Sequence, residues 1–199
     1  MKRIVVIGAT GTIGSAVTEA LCKIHDVVAV GHSSGERRVH LADKASIEQL
    51  LAGIGSFDAV VSCAGIAPFG AAQDMSDDDY VLALSNKLMG QINLVRRGAP
   101  RIAKDGVFVL TSGRFAGEPQ RGTAAISIAN AGIDAFARAA SLDLAPTRVC
   151  SVSPVFVKET MEKLGMDSGE GLSAADTAKA YLAAVEGEMT GVLDVRDWA

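Results

Sequence analysis

The chain has 199 residues, 49% of them hydrophobic and 21% charged, enough for one domain with a substantial core and short for two. A net charge of −4 argues against the basic face that nucleic-acid binding requires, and no apolar stretch approaches the ~18 residues of a membrane helix. Cys22, Cys63 and Cys150 are odd in number and sit in apolar stretches, which predicts small buried thiols in a reducing, cytoplasmic compartment.

The first apolar run, residues 3–7, is too short for a signal-peptide core and is closed by a glycine, so it reads as a strand. Residues 8–14, GATGTIG, follow directly, and then Ile13, Val17, Ala20, Leu21 and Ile24 recur at helical spacing as one apolar stripe. Further β-branched runs lie at 27–30, 59–62, 107–110, 148–152 and 192–195. Runs without polar alternation belong to strands buried on both faces, as in a parallel sheet covered by helices. Between them, Asp43 is placed to cap a helix carrying Ile47, Leu50 and Leu51, and Ser76 one that opens Asp77-Asp78-Asp79. A long alanine-rich helix is predicted at 125–143, ahead of Pro146, and Ser173 caps a last one through about Val185. Strand alternating with helix predicts an α/β chain: one Rossmann-like, doubly wound domain over 1–199 with a mainly parallel sheet of about seven strands.

The glycine loop lies at the first strand-to-helix turn, where such a loop holds a dinucleotide. Gly8 serves the turn, Gly11 lets a phosphate approach the backbone, and Gly14 lets helix and strand pack closely. Thr10, Thr12 and Ile13 complete the loop, whose free N–H groups and helix dipole suit a pyrophosphate. After the second strand an acidic residue would select NAD. Here stand Gly31, His32, Ser33 and Ser34, with Arg37 and Arg38 close behind, which suits the 2′-phosphate of NADP.

In order, these motifs resemble the short-chain dehydrogenase/reductase family over nearly the whole chain. SCAG at 62–65 is similar to the family's Asn-Asn-Ala-Gly and puts Ala64 and Gly65 beside the cofactor. LTSG at 110–113 puts Ser112 at the family's catalytic serine, and the sixth strand RVCSVSP at 148–154, with Thr160 shortly after, is similar to the family's Arg-Val-Asn-x-Val-x-Pro-Gly. The resemblance implies an NADP-dependent oxidoreductase acting on a small carbonyl compound or alcohol. It also implies a homodimer built from the helices near 77–97 and 125–143.

The family's Tyr-x-x-x-Lys pair is missing. In AAISIANAGIDAF, Ile126 falls at the tyrosine and Asn130 at the lysine; Lys87, three residues before Gly90, replaces the catalytic asparagine, and His40 and Val155 replace an aspartate and a glycine. Ile126 has no proton to donate, and Tyr80 and Tyr181 lie far along the chain. Ser112, Thr123 and Ser127 are the hydroxyls in reach, with Lys87 a possible proton source beside Ser112 or, equally, a side chain snorkelling to solvent. The loop KETMEKLGMDSGEGL offers Met161, Leu164 and Met166 as a small lid at best. Two functions stay open at this level: an oxidoreductase with a reorganised site, and a dinucleotide-binding sensor or scaffold that has lost the chemistry. Neither a metal site, nor nucleic acid, nor a membrane enters the expectation.

Overall fold

Strand β1 (Arg3–Ile7) carries four consecutive residues, Ile4 to Ile7, with no solvent exposure. Its alternating side chains feed two cores. Val5 and Ile7 point to one face of the sheet, Ile4 and Val6 to the other. In the computed structural model, which describes residues 1–169 and 171–198, β1 lies between β2 (Asp26–Gly31) and β4 (Phe57–Ser62), parallel to both. With β3 (Arg37–Arg38), β5 (Ile102–Thr111), β6 (Arg148–Ser153) and β7 (Gly191–Asp194), the sheet has seven strands in the order β3-β2-β1-β4-β5-β6-β7. Every pairing is parallel.

Helices α1 (Thr12–Cys22) and α7 (Ala174–Glu186) cover one face, where Val17, Leu21, Tyr181 and Val185 are buried. Helices α2 (Lys44–Ile54), α4 (Met89–Gly98) and α5 (Ala124–Asp143) cover the other with Ile47, Leu51, Leu94 and Ile133. Each such side chain contributes about 1.5–3 kcal/mol on leaving water. The predicted caps form: the side chains of Asp43 and Ser173 accept from Ala45 N and Asp176 N, and Ser76 makes a reciprocal capping box with Asp79.

Several sequence expectations need correction. Ile24 is 53% exposed, since α1 ends at Cys22 and the chain turns back onto the Leu21 carbonyl, which breaks the helical stripe. Cys22 is therefore exposed at the helix end; Cys63 is half-buried and Cys150 buried, and all three are free. Val195 begins a 3₁₀ turn (Val195–Asp197) instead of ending β7. Arg37 and Arg38, which the β-branched runs did not include, form β3 by pairing with Val30 and Gly31. The helix expected near 77–97 is three segments: α3 (Asp77–Leu82), a π-helical stretch Ala83–Leu88, and α4.

The sheet order reverses between β1 and β4. A crevice opens there, beyond the carboxyl ends of the strands, and ligands of such sheets bind in this place.

Candidate active site

At the crevice, Gly11 is the N-cap of α1 and brings no side chain to the first-turn amides, so they stay open to an anion. A Cβ on Gly14 would lie 2.0 Å from the Gly8 carbonyl oxygen, so only glycine lets α1 approach β1 this closely. One cation reaches this loop from far along the chain. Lys163, in α6 (Lys158–Lys163), donates from Nζ to Thr12 Oγ1 at 3.2 Å. The sequence holds no local sign of it.

On the other side of β1, His32 shares a small cavity with Gly8, Val39, Leu41, Gly65 and Asn86. Its ring stands edge-on to His40, centroids 4.3 Å apart, with Nε2 3.3 Å from His40 Nδ1. Ser33 and Ser34 are exposed on the turn beside it. Arg37 is turned elsewhere, its guanidinium donating to the Gly53 carbonyl at 3.4 Å, so the structure does not bring it together with His32 and the serines.

The larger cavity, about 400 Å³, opens over the ends of β4, β5 and β6. Ile13 and Gly65 from the cofactor side, Ser112 and Lys87, and Ile126 and Asn130 from α5 all line it. Ser112 follows β5 directly and is 3% exposed; its N–H donates to Val152 O at 2.9 Å, while its hydroxyl is only 3.4 Å from the same carbonyl. Lys87 does not snorkel. It is 7% exposed and donates to the Thr111 carbonyl at 3.4 Å. Burial brings its pKa down to about 8, with the Asp134 carboxylate pulling the other way.

The π-helical stretch adds backbone to the turn that carries Lys87, and such bulges recur at functional sites. Gly65, at φ +146°, lets the β4 end pass beneath it: a Cβ there would meet Lys87 Cγ at 2.7 Å. Asn86 holds the same loop by accepting from Ile66 N at 2.9 Å. Gln91, fully buried, donates to Thr111 O at 2.9 Å and accepts from Thr111 N at 2.8 Å, completing the backbone pairing of the residue before Ser112. Gln91 lies four residues beyond Lys87, a helical spacing that was visible in the sequence.

The family model of enoyl-(acyl carrier protein) reductase matches residues 17–192. The chain belongs to the short-chain dehydrogenase/reductase family. The structure of protein lin1944 from Listeria innocua is similar at 34% identity and TM-score 0.93, over 98% of this chain and all of that one. A small-chain dehydrogenase in complex with NADPH is similar at 28% identity and TM-score 0.86, covering 96% of this chain and 95% of its own. Thermoplasma acidophilum aldohexose dehydrogenase, at 18% identity and TM-score 0.85 over 98% and 92%, shares the fold. No curated protein matches the chain in sequence.

Ile126, the residue expected from the sequence at the family's tyrosine position, stands in the cavity wall. Tyr80 is outside, donating to Ala72 O, and Tyr181 lies under the sheet with its hydroxyl 2.7 Å from Thr111 Oγ1. Burial raises the Tyr181 phenol far above its ordinary pKa. Thr123 and Ser127 do not line the cavity; their hydroxyls bond each other at 3.2 Å at the start of α5. Cys63 does line it, and burial raises its thiol pKa, which disfavours the thiolate. Asn130, expected from the sequence at the family's lysine position, donates to Gly113 O at 3.4 Å, and its Oδ1 is buried without a partner. Among the described residues, no cluster could hold a metal ion.

Proposed function

We infer that this short-chain dehydrogenase/reductase binds NADP(H) and reduces a small carbonyl compound, with Lys87 as proton source and Ser112 as hydroxyl donor. The carrying observation is that Ser112 and a buried Lys87 line one cavity with Ile13 and Gly65, directly beside the glycine loop. The residues fit a dinucleotide. Gly14 leaves the close approach that the loop needs, the first-turn amides of α1 have no side-chain cap, and the orphaned Asn130 Oδ1 would accept from a ribose hydroxyl. The pyrophosphate would rest on residues 8–14 with Lys163 nearby, and the 2′-phosphate would meet His32, Ser33 and Ser34. When bound, nicotinamide supplies a hydride.

The chain's own groups do the remainder. Neither polar group at the cavity floor is held tightly: the Ser112 hydroxyl and the Lys87 ammonium each have one bond of 3.4 Å. Ser112 donates to the substrate oxygen and stabilises the charge that builds on it. With a pKa near 8, Lys87 is largely protonated at pH 7 yet weakly enough to release the proton, which is the condition for a general acid.

The test is a titration followed by turnover. NADPH is expected to bind at least about tenfold more tightly than NADH, a difference of about 1.4 kcal/mol that one charge-assisted phosphate contact supplies. Lys163→Met should weaken both cofactors by a similar factor. NADPH oxidation with a carbonyl panel should be slow but measurable, and Ser112→Ala should remove it without changing cofactor affinity. Equal affinities for the two cofactors contradict the NADP assignment. Ile126 favours a second reading, a dinucleotide sensor, because it leaves the tyrosine position without a proton donor. Tight NADPH binding with no turnover on any substrate would decide for it.

A further inference from the structure

Three phenylalanines gather at the cavity from three separate segments. Phe69 comes from the loop after β4, Phe115 from the 3₁₀ turn Arg114–Ala116 after β5, and Phe156 from the loop after β6. Ring centroids are 6.1 Å apart for Phe69–Phe115 and Phe69–Phe156, and 6.2 Å for Phe115–Phe156, with both Phe69 contacts edge-to-face. Phe115 is buried, but Phe69 is 54% exposed although it touches both others. An aromatic left half in water at the rim of a cavity has an unfilled face.

The loop that carries Phe69 is held in place. Gly70 N donates to the Gly122 carbonyl at 2.9 Å, and Gly70 forms a bridge with Thr123 at the start of α5. The ring is therefore presented on a fixed support. Ile126 faces the same space, so the wall opposite is apolar too, and among the described residues no carboxylate lines the cavity. Of the two cations in its lining, Lys87 sits at the floor beside Ser112, and the Arg114 guanidinium is paired with Glu118 at 3.4 Å.

We propose that the three phenylalanines form a ring-binding subsite, and that the substrate is a flat, uncharged cyclic or aryl carbonyl compound with its oxygen toward Ser112. The assignment rests on the carbonyl-reductase reading for its chemistry, but ring binding is measurable without turnover. Edge-to-face partners favour a planar π-system over an alkyl chain of equal carbon number, beyond the area that either buries. The Phe-lined mouth therefore selects for ring shape, where a merely greasy pocket would favour the more hydrophobic chain.

Acetophenone and 2-octanone, both eight-carbon methyl ketones, make the comparison. Their binding is followed by calorimetry and saturation-transfer NMR, with the protein alone and with NADP⁺. Acetophenone is expected to bind about tenfold more tightly in both states. Phe69→Leu, at a half-exposed site that tolerates the change, is expected to bring the two within threefold, with circular dichroism checking the fold; Phe156→Leu should act likewise. Equal or tighter binding of 2-octanone overturns the proposal, as does a preference that survives both substitutions. Acetophenone binding without NADPH oxidation would leave the subsite standing and sink the carbonyl-reductase reading instead. Turnover of open-chain carbonyls with no ring preference would do the reverse.

Discussion

Lys87 is the residue on which the site turns, and its burial has a thermodynamic signature. Its pKa falls from the ordinary 10.5 to about 8 because desolvation penalises the ammonium. Between these values the unfolded chain binds more protons than the folded one, so stability rises with pH through that window and the burden is full below about 8. Lys87→Met is expected to raise stability at pH 7 by on the order of 2 kcal/mol, and to abolish the rise from pH 8 to 10.5, in thermal unfolding followed against pH. The same substitution should lower NADPH oxidation by about 10²–10⁴-fold, the range for loss of a general acid. A variant that loses stability at pH 7 would show that the Thr111 carbonyl and Asp134 outweigh the desolvation.

At the scale of elements, the distinctive feature is how the helix carrying Lys87 is fixed to β5. The π-helical stretch Ala83–Leu88 precedes α4, and one turn beyond Lys87 the Gln91 amide pairs with both backbone groups of Thr111. Ser112 therefore stands on a strand end whose preceding residue is held by a side chain from the helix that carries Lys87. Gln91→Leu fills the space but leaves the buried Thr111 N–H without its Gln91 partner and the Thr111 carbonyl with only the 3.4 Å bond from Lys87. At about 1–3 kcal/mol for an unsatisfied buried group, the expected loss is about 1–3 kcal/mol in denaturant unfolding. Because the strand end loosens, kcat should fall while NADPH affinity, set at the other end of the crevice, stays the same. Equal loss of affinity and kcat would mean that the clamp supports the whole crevice.

For the whole molecule, the question is what covers the outer faces of the helices around the site. Val81, Leu82, Leu84 and Met89 are exposed along α3 to α4, and Ile128 is 50% exposed on α5. Gly132, whose Cβ would meet Leu88 at 2.9 Å, keeps α5 close to the π-helical stretch and so makes these residues neighbouring surfaces. Apolar surface on adjoining helices is expected to pair across a twofold axis. Light scattering at micromolar concentration should give the mass of a dimer, and Ile128→Glu, at a site with room for it, should shift it to a monomer. A monomeric parent chain excludes this arrangement.

What the amino-acid sequence determined by itself was local and periodic. Runs such as residues 3–7 are apolar on both alternations, which only a strand covered on two faces can use, so the parallel sheet was legible. Asp43, Ser76 and Ser173 bond amides two or three residues away, so the helix starts were legible too. Ser112 was singled out because LTSG resembles the family's serine segment, and the glycine loop because its turn lies between adjoining elements. Only the tertiary structure decided where Lys87 points, since a polar residue on a helix reads the same whether it faces solvent or a cavity, and the π-helical turn has no local signature here. The contact of Lys163 with Thr12 and the meeting of Phe69, Phe115 and Phe156 likewise join segments distant in the chain. Contacts of that kind are set by how loops descend onto the sheet's carboxyl edge, and no periodicity of the chain records it.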